Sequence, residues 1–318
     1  MNTKNIARAL RAKIDDWCAS IDDEKIVSII KENAIITGGA LVSLVNSEQP
    51  NDYDVYFRNY ESCLAVAKFY AGKWSEKNSY VKIIDDTEAS DHDSVQARLK
   101  EHNEFHIYVD FDESQRRLKN KRISCFIKSE GVTGVQDKSL ADETEPCTPD
   151  PKCVKKADAP KYRPIFFTTN AISLSDKIQL VIRFYGSVET IHENYDFVHC
   201  CGSYDYKSHA VNFSSETLVA IINKELRYKG SLYPLCSIMR IRKFINRGWS
   251  INAGQILKAC LQLQKYDLYD PFVLKDQLCG VDSLHFSNAI GRIDENMALN
   301  KDFKIDETYL FEIINEIF

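Results

Sequence analysis

Two carboxylates two residues apart stand in the run Asp52-Tyr53-Asp54-Val55-Tyr56-Phe57. On a strand, residues two apart point to the same face. Asp52 and Asp54 therefore lie side by side, and Tyr53, Val55 and Phe57 turn the other way, into a core. Like charges that close are unfavourable unless something positive sits between them. A hard divalent cation, Mg2+ or Mn2+, meets that need, because it takes carboxylate oxygens and then phosphate oxygens. Upstream, the apolar stretch Ile35-Ile36-Thr37 ends in Gly38-Gly39, and a helix-like run follows from Ala40 to Asn46. Without side chains, such a turn lets backbone approach a phosphate closely. Ser43 adds a hydroxyl donor for the same phosphates.

A hydrophobic-Gly-Gly turn, a helix and a strand with alternating aspartates resemble the core of the DNA polymerase β-like nucleotidyltransferase superfamily. The nearest branch by resemblance is the head domain of poly(A) polymerases and CCA-adding enzymes. Where that branch carries an Arg-Asp pair in the helix after the glycines, this chain has Val42-Ser43. The resemblance implies an α+β fold, with a mixed sheet and flanking helices followed by a mainly helical C-terminal domain. It also implies a two-metal mechanism with an NTP as substrate.

That mechanism needs a third carboxylate on a later strand. Tyr195-Asp196-Phe197 fits, and Asp110 in Val109-Asp110-Phe111 is the alternative. Asp196 is favoured because its stretch follows the run Lys177 to Phe184, the strongest strand pattern in the chain. A strand of that kind, a short helix and then an aspartate between aromatics is similar to phage and viral members of the superfamily. Tyr195 to Cys200 reads as the next strand, which by parity turns His199 away from Asp196 as a structural histidine.

The segment Ser237 to Asn252 reads as an amphipathic helix ended by Gly248. Ile238, Ile241, Phe244 and Ile245 form one face, and Arg240, Lys243 and Arg247 another, at spacings of three and four. It resembles the basic helix that follows the head in CCA-adding and bacterial poly(A) polymerases, whose basic face lies near triphosphate and RNA. By that resemblance Arg240 and Lys243 join Gly38, Gly39 and Ser43 in nucleotide binding, and Asp52, Asp54 and Asp196 are catalytic and metal-binding. An RNA 3′ end, tRNA-like, is the expected acceptor. Transfer to a protein or small molecule, synthesis of an oligonucleotide signal, and a catalytically inactive binding protein stay open at this point.

The elements that must position these residues follow in order. Apolar residues at helical spacing (Ile6, Leu10, Ile14, Trp17, then Ile26, Ile29, Ile30) predict two helices across residues 3–33, broken at 20–23, that cover the sheet starting at Ile35. A helix is expected from Ser62 to Trp74. Strands are expected at 80–84, 105–111, 122–128, 165–168, 171–174 and 177–184. Arg116, Arg117, Lys119, Lys121 and Arg122 form a basic run. Residues 129–160 are rich in Pro, Asp, Glu and Lys, and predict a flexible insertion. Ser187 caps a short helix, and from Ser214 the pattern is helical. The expected organisation is N-terminal helices over 1–33, a head over 34–212 and a helical domain over 213–318.

The chain of 318 residues has room for one large domain or two ordinary ones. Its net charge of −5 gives no global case for nucleic acid, so any such contact must be a local basic patch. None of the 10 cysteines forms a CxxC, and no Cys/His spacing fits zinc. Cys147 and Cys153 sit together in the polar insertion. Free thiols fit a reducing compartment. The N-terminus leads into a charged amphipathic run, not an apolar signal core, and no apolar segment reaches membrane length. A cytoplasmic protein is expected, in the host cytoplasm if phage-encoded.

Overall fold

The N-terminal helices bury a single stripe each. Ile6, Leu10, Ile14 and Trp17 are all buried on α1 (Thr3–Ala19), and Ile26 and Ile30 on α2 (Glu24–Asn33). The break between them is set by Asp23, whose carboxylate accepts from the Lys25 and Ile26 amides at 2.9 and 3.3 Å and so caps α2. These features come from a computed structural model. It describes residues 2–75, 160–168, 170–278, 287–300 and 303–317, together with backbone strands at 83–85, 105–110, 122–126 and 134–136. The basic run at 116–121 and both Cys147 and Cys153 lie outside the described residues.

After α2 come β1 (Ala34–Thr37), α3 (Gly39–Val45), β2 (Tyr53–Phe57) and α4 (Tyr60–Ser75). β3 (Ile83–Asp85), β4 (Phe105–Asp110) and β5 (Arg122–Phe126) form a three-stranded sheet of their own. β6 (Gly134–Gln136), β7 (Pro164–Thr168), β8 (Ala171–Leu174) and β9 (Ile178–Val181) follow, then α5 (Val188–Glu193) and the hairpin β10 (Ser203–Asp205) and β11 (Ala210–Asn212). The main sheet is eight-stranded, in the order β11-β10-β1-β2-β9-β8-β7-β6. β2 and β9 run parallel and every other pair is antiparallel, so the sheet is mixed.

The architecture is α+β, as the sequence implies. α1, α2 and α4 cover one face of the sheet, where Ile36, Val55, Phe57, Ile172, Leu174, Ile178 and Leu180 meet them. Burying each such side chain contributes about 1.5–3 kcal/mol. Trp17 is fully buried and its indole N–H donates to the Tyr70 hydroxyl at 2.5 Å. Trp17→Ala would cost about 3–5 kcal/mol through the cavity it leaves. The other face carries a smaller cluster of Ile35, Tyr56, Val181 and Ile191, and is otherwise open.

The C-terminal part is helical: α6 (Ser215–Ile222), α7 (Pro234–Ile245), α8 (Ala253–Leu263), α9 (Pro271–Leu278), α10 (Ser287–Leu299) and α11 (Glu307–Ile317). Val42 and Phe197 pack with Ile221, Leu226, Ile241, Trp249 and Ala259, which presses α7 toward the open face of the sheet. Ile245, placed on the apolar face by spacing, is 47% exposed, because the packed stripe ends at Ile241 and Phe244.

Two expectations are corrected here. Residues 195–200 are not a strand. Phe197 makes an isolated bridge to Tyr228, and Val198–Cys200 is a 3-10 turn. The backbone is drawn off by the 227–229 loop, where the Lys229 amide donates to the Asp196 carbonyl at 2.8 Å and the Val198 amide to the Arg227 carbonyl at 3.0 Å. The strand bonded to β1 is β10 instead. Within the polar insertion, Gly134–Gln136 pairs with β7 and extends the sheet, so this part of it is ordered backbone.

Candidate functional site

Gly38 stands at the hinge of the site because its backbone has φ 88° and ψ −145°, a conformation that side chains oppose. A Cβ there would lie 3.1 Å from Asp54 Oδ2 and 3.3 Å from the Tyr195 hydroxyl. The turn thus rests directly on the second aspartate. Gly39 differs: a Cβ on it would meet nothing within 4 Å, so its side looks into the cleft.

Asp54 is held by register. Thr37 on β1 and Gln179 on β9 are its cross-strand partners, and Ser173 on β8 is the partner of Gln179. Paired residues point to one face. A row Thr37–Asp54–Gln179–Ser173 therefore crosses four strands on the open face. Asp52 precedes β2 and is exposed.

Beneath the turn, the Thr37 hydroxyl donates to the Gly202 carbonyl at 2.6 Å and meets His192 Nε2 at 2.7 Å. A hydroxyl has one proton, so His192 Nε2–H is the donor in this network. That matches its pKa, pushed down to about 4 by burial and by nearby Lys229. Tyr195 packs against Tyr56 and His192, with centroids 6.2 and 5.2 Å away. Burial raises both phenols, and the Asp54 charge raises them further. They stay neutral and support the turn.

A cavity of about 540 Å³ opens between the sheet face and α7, and Gly38, Gly39, Ser43, Asp52, Asp54, Asp196, Arg240 and Lys243 all line it. Asp196 is buried and ion-paired to Arg240, with Nη1 to Oδ2 at 2.6 Å. Asp110 belongs by its backbone to the separate three-stranded sheet. Because residues 195–200 are no strand, parity does not hold, and His199 lines the same cavity as Asp196. Its ring lies 4.2 Å from Trp249 and 4.7 Å from Phe244, and neither ring nitrogen has a hydrogen-bond partner among the described residues. Sequence reading missed Tyr195, Gln179 and Lys224 as cleft residues. The alternation Ile178-Gln179-Leu180 was the one signal that placed Gln179 on the open face.

Asp52 and Asp54 offer the oxygen donors that Mg2+ or Mn2+ takes, and Mg2+ is commonly held by one or two carboxylates together with substrate phosphates. The donor chemistry fits. Among the described residues no three His, Cys, Asp or Glu side chains group as a metal site.

The site is thus a glycine turn resting on Asp54, in a mixed sheet faced by the basic helix α7. The chain belongs to the Gabija anti-defense 2 family, whose profile matches residues 8–224. A relative named "Gabija anti-defense 2", from Bacillus phage SPbetaL7, is 22% identical over 302 residues. That alignment takes in 92% of this chain and 54% of the relative, so the chain spans about half the length of the curated protein it matches. Among solved structures, the Thermotoga maritima CCA-adding enzyme complexed with tRNA is similar at TM-score 0.35 and 11% identity, over 93% of this chain and 57% of that one. The Bacillus stearothermophilus CCA-adding enzyme in complex with CTP is similar at TM-score 0.33 and 11% identity, over 84% and 50%. Among the described residues no helix is long and apolar enough to cross a membrane.

Proposed function

We propose that the chain is a metal-dependent nucleotidyltransferase that moves a nucleoside monophosphate from an NTP to an acceptor hydroxyl, with an RNA 3′ end as the acceptor. In a phage it would act in the host cytoplasm against the defence for which its family is named. The observation that carries this reading is the convergence of Gly38, Asp52, Asp54, Asp196 and Arg240 on one cavity. Residues 34–212 serve as the head, and 213–318 as a helical domain closing the cleft.

Gly38 and Gly39 present backbone to the β and γ phosphates, with the Ser43 hydroxyl beside them. Arg240 and Lys243 offset phosphate charge from the facing helix. Asp52 and Asp54, with Asp196 as third carboxylate once Arg240 releases it, would hold the divalent cations, which when bound would neutralise the triphosphate and lower the pKa of the attacking hydroxyl. The acceptor oxygen bonds to the α-phosphorus, the bond from that phosphorus to the leaving oxygen breaks, and pyrophosphate departs. The hydroxyl proton passes by way of an Asp52 carboxylate oxygen to solvent. Catalysis is positioning and electrostatics, with no covalent intermediate on the protein.

A second reading, a nucleotide-binding protein without turnover, is favoured by one observation: Asp196 already holds Arg240. One assay separates the two. Pyrophosphate release is measured with each NTP and Mg2+ or Mn2+, with and without total tRNA, for wild type and Asp52→Ala/Asp54→Ala. RNA-dependent release that the double variant loses supports the proposal. Release without RNA points to a protein, small-molecule or nucleotide acceptor. Nucleotide binding with no release under any condition supports the second reading.

A further inference from the structure

A second cavity, of about 490 Å³, shares Asp52 and Gln179 with the first and runs the other way along the sheet. Arg163, Ser173, Ser175 and Lys177 line it. The nucleotide site does not use it.

The row across the sheet relates the two cavities. Gly38 follows Thr37 at one end, Asp54 and Gln179 are central, and Ser173 is at the far end. In-line displacement sets the attacking and leaving oxygens on opposite sides of the phosphorus. If the leaving phosphates lie against Gly38, Ser43, Arg240 and Lys243, the attacking hydroxyl must arrive from the Gln179–Ser173 side. The second cavity opens there.

The chemistry of its walls selects an anion with hydroxyls. Arg163 and Lys177 supply positive charge, and Ser173, Ser175 and Gln179 supply hydroxyl and amide groups. Two acidic groups also line it: Asp52, shared with the first cavity, and Asp176, which is already engaged. The Asp176 carboxylate accepts from the Tyr162 amide at 3.3 Å and the Ser175 hydroxyl at 3.1 Å, and its carbonyl accepts from Lys13 at 2.6 Å. Lys177 also donates to the Pro50 carbonyl at 3.1 Å, tying this wall to the loop that leads into Asp52.

The walls are held in uncommon backbone. Tyr162, Asp176 and Lys177 have φ of 56°, 60° and 67°. Left-handed conformations at non-glycine residues persist only where the surroundings impose them, and such residues gather at functional sites.

We propose that this groove is the acceptor site, and that it takes the sugar–phosphate end of a single-stranded RNA and brings its terminal hydroxyl to Asp52. The proposal rests on the nucleotidyltransferase reading above. Arg163 and Lys177 contact backbone phosphates, and Ser173 and Gln179 contact ribose hydroxyls.

The test is fluorescence anisotropy of a labelled single-stranded RNA of about a dozen nucleotides, titrated with full-length wild type, Arg163→Glu and Lys177→Glu across a salt series. Binding of ATP with Mn2+ is measured in parallel, and circular dichroism checks the fold. The expected result is RNA affinity weaker by about tenfold or more in each variant and a salt slope smaller by about one, with ATP affinity unchanged. Lys177 is exposed, so its variant tests the idea even if Arg163→Glu misfolds. RNA affinity unaltered in a folded variant, or no RNA binding by wild type, overturns the proposal. Labelling of a protein acceptor that Lys177→Glu abolishes overturns the RNA form of it. Failure of ATP to bind wild type, with RNA binding still dependent on Lys177, defeats the nucleotidyltransferase reading and leaves the groove as an RNA site.

Discussion

Arg240 Nη1 lies 2.6 Å from Asp196 Oδ2, so the basic helix and this buried carboxylate neutralise one another across the cleft. A triphosphate offers the guanidinium a denser anion and bidentate geometry. On the proposed reading, nucleotide binding would draw Arg240 off Asp196 and free that carboxylate for a cation. Lys243 is exposed on the same helix and has no such burial. Lys243→Ala should raise the KM for NTP by about tenfold, the loss of one charged contact, with no change in melting temperature. Arg240→Ala should raise KM as well and also destabilise by about 1–3 kcal/mol, since it strips the cation from a buried carboxylate. Steady-state kinetics and urea denaturation read the two effects. An unchanged KM in both variants would remove α7 from the nucleotide site.

The two glycines respond oppositely to alanine. Gly38→Ala forces a Cβ to 3.1 Å from Asp54 Oδ2 at φ 88°. It should cost about 1–2 kcal/mol in backbone strain alone and displace the carboxylate, with loss of activity. Gly39 opens α3 with free space around it. Gly39→Ala should stabilise by up to about 1 kcal/mol from helix propensity, yet weaken NTP binding by crowding the phosphate path. Thermal melts beside NTP titrations give both signs.

Local patterns were legible wherever one segment decides its own fate. The break at 20–23, Ser187 as a cap, the stripe from Ile6 to Trp17, and the parity of Asp54 against Val55 all follow from spacing within a few residues. The Asp196 segment was misread as a strand because Tyr195 to Cys200 has strand composition. Its backbone is captured instead by Arg227 and Lys229, some thirty residues on, and no local pattern reports that. The failure carried His199 with it, since its side had been inferred from strand parity. The addition of Gly134–Gln136 to the sheet edge was hidden for the same reason: its partner, β7, lies beyond a polar stretch.

The aspartate pair should trade stability against function. Like charges two residues apart repel, and Asp52 is exposed. Asp52→Asn should hold or raise the melting temperature while cutting pyrophosphate release by about a thousandfold or more, because it removes a cation ligand. Chelation with EDTA should abolish release in wild type and leave the fold intact. A variant that keeps its turnover would exclude Asp52 from the reaction.

His199 sets an acid limit on stability. Burial pushes its pKa down to about 4, against the counter-pull of Asp196, and its ring lies between Phe244 and Trp249. The folded protein holds it neutral, while the unfolded chain takes up a proton near pH 6.5. Between those values the unfolded state binds more protons, so stability rises with pH there and is lost as pH falls from about 6.5 to 4. The loss from this one residue reaches about 3 kcal/mol at most. His192, lowered to about 4 but less buried, adds in the same direction. Urea midpoints measured from pH 7 to pH 4 should fall in wild type. His199→Phe keeps an aromatic ring against Trp249 and removes the titration, so its midpoints should fall less steeply, by the His199 share. Equal slopes in the two proteins would mean that His199 titrates alike in the folded and unfolded states and sets no acid limit.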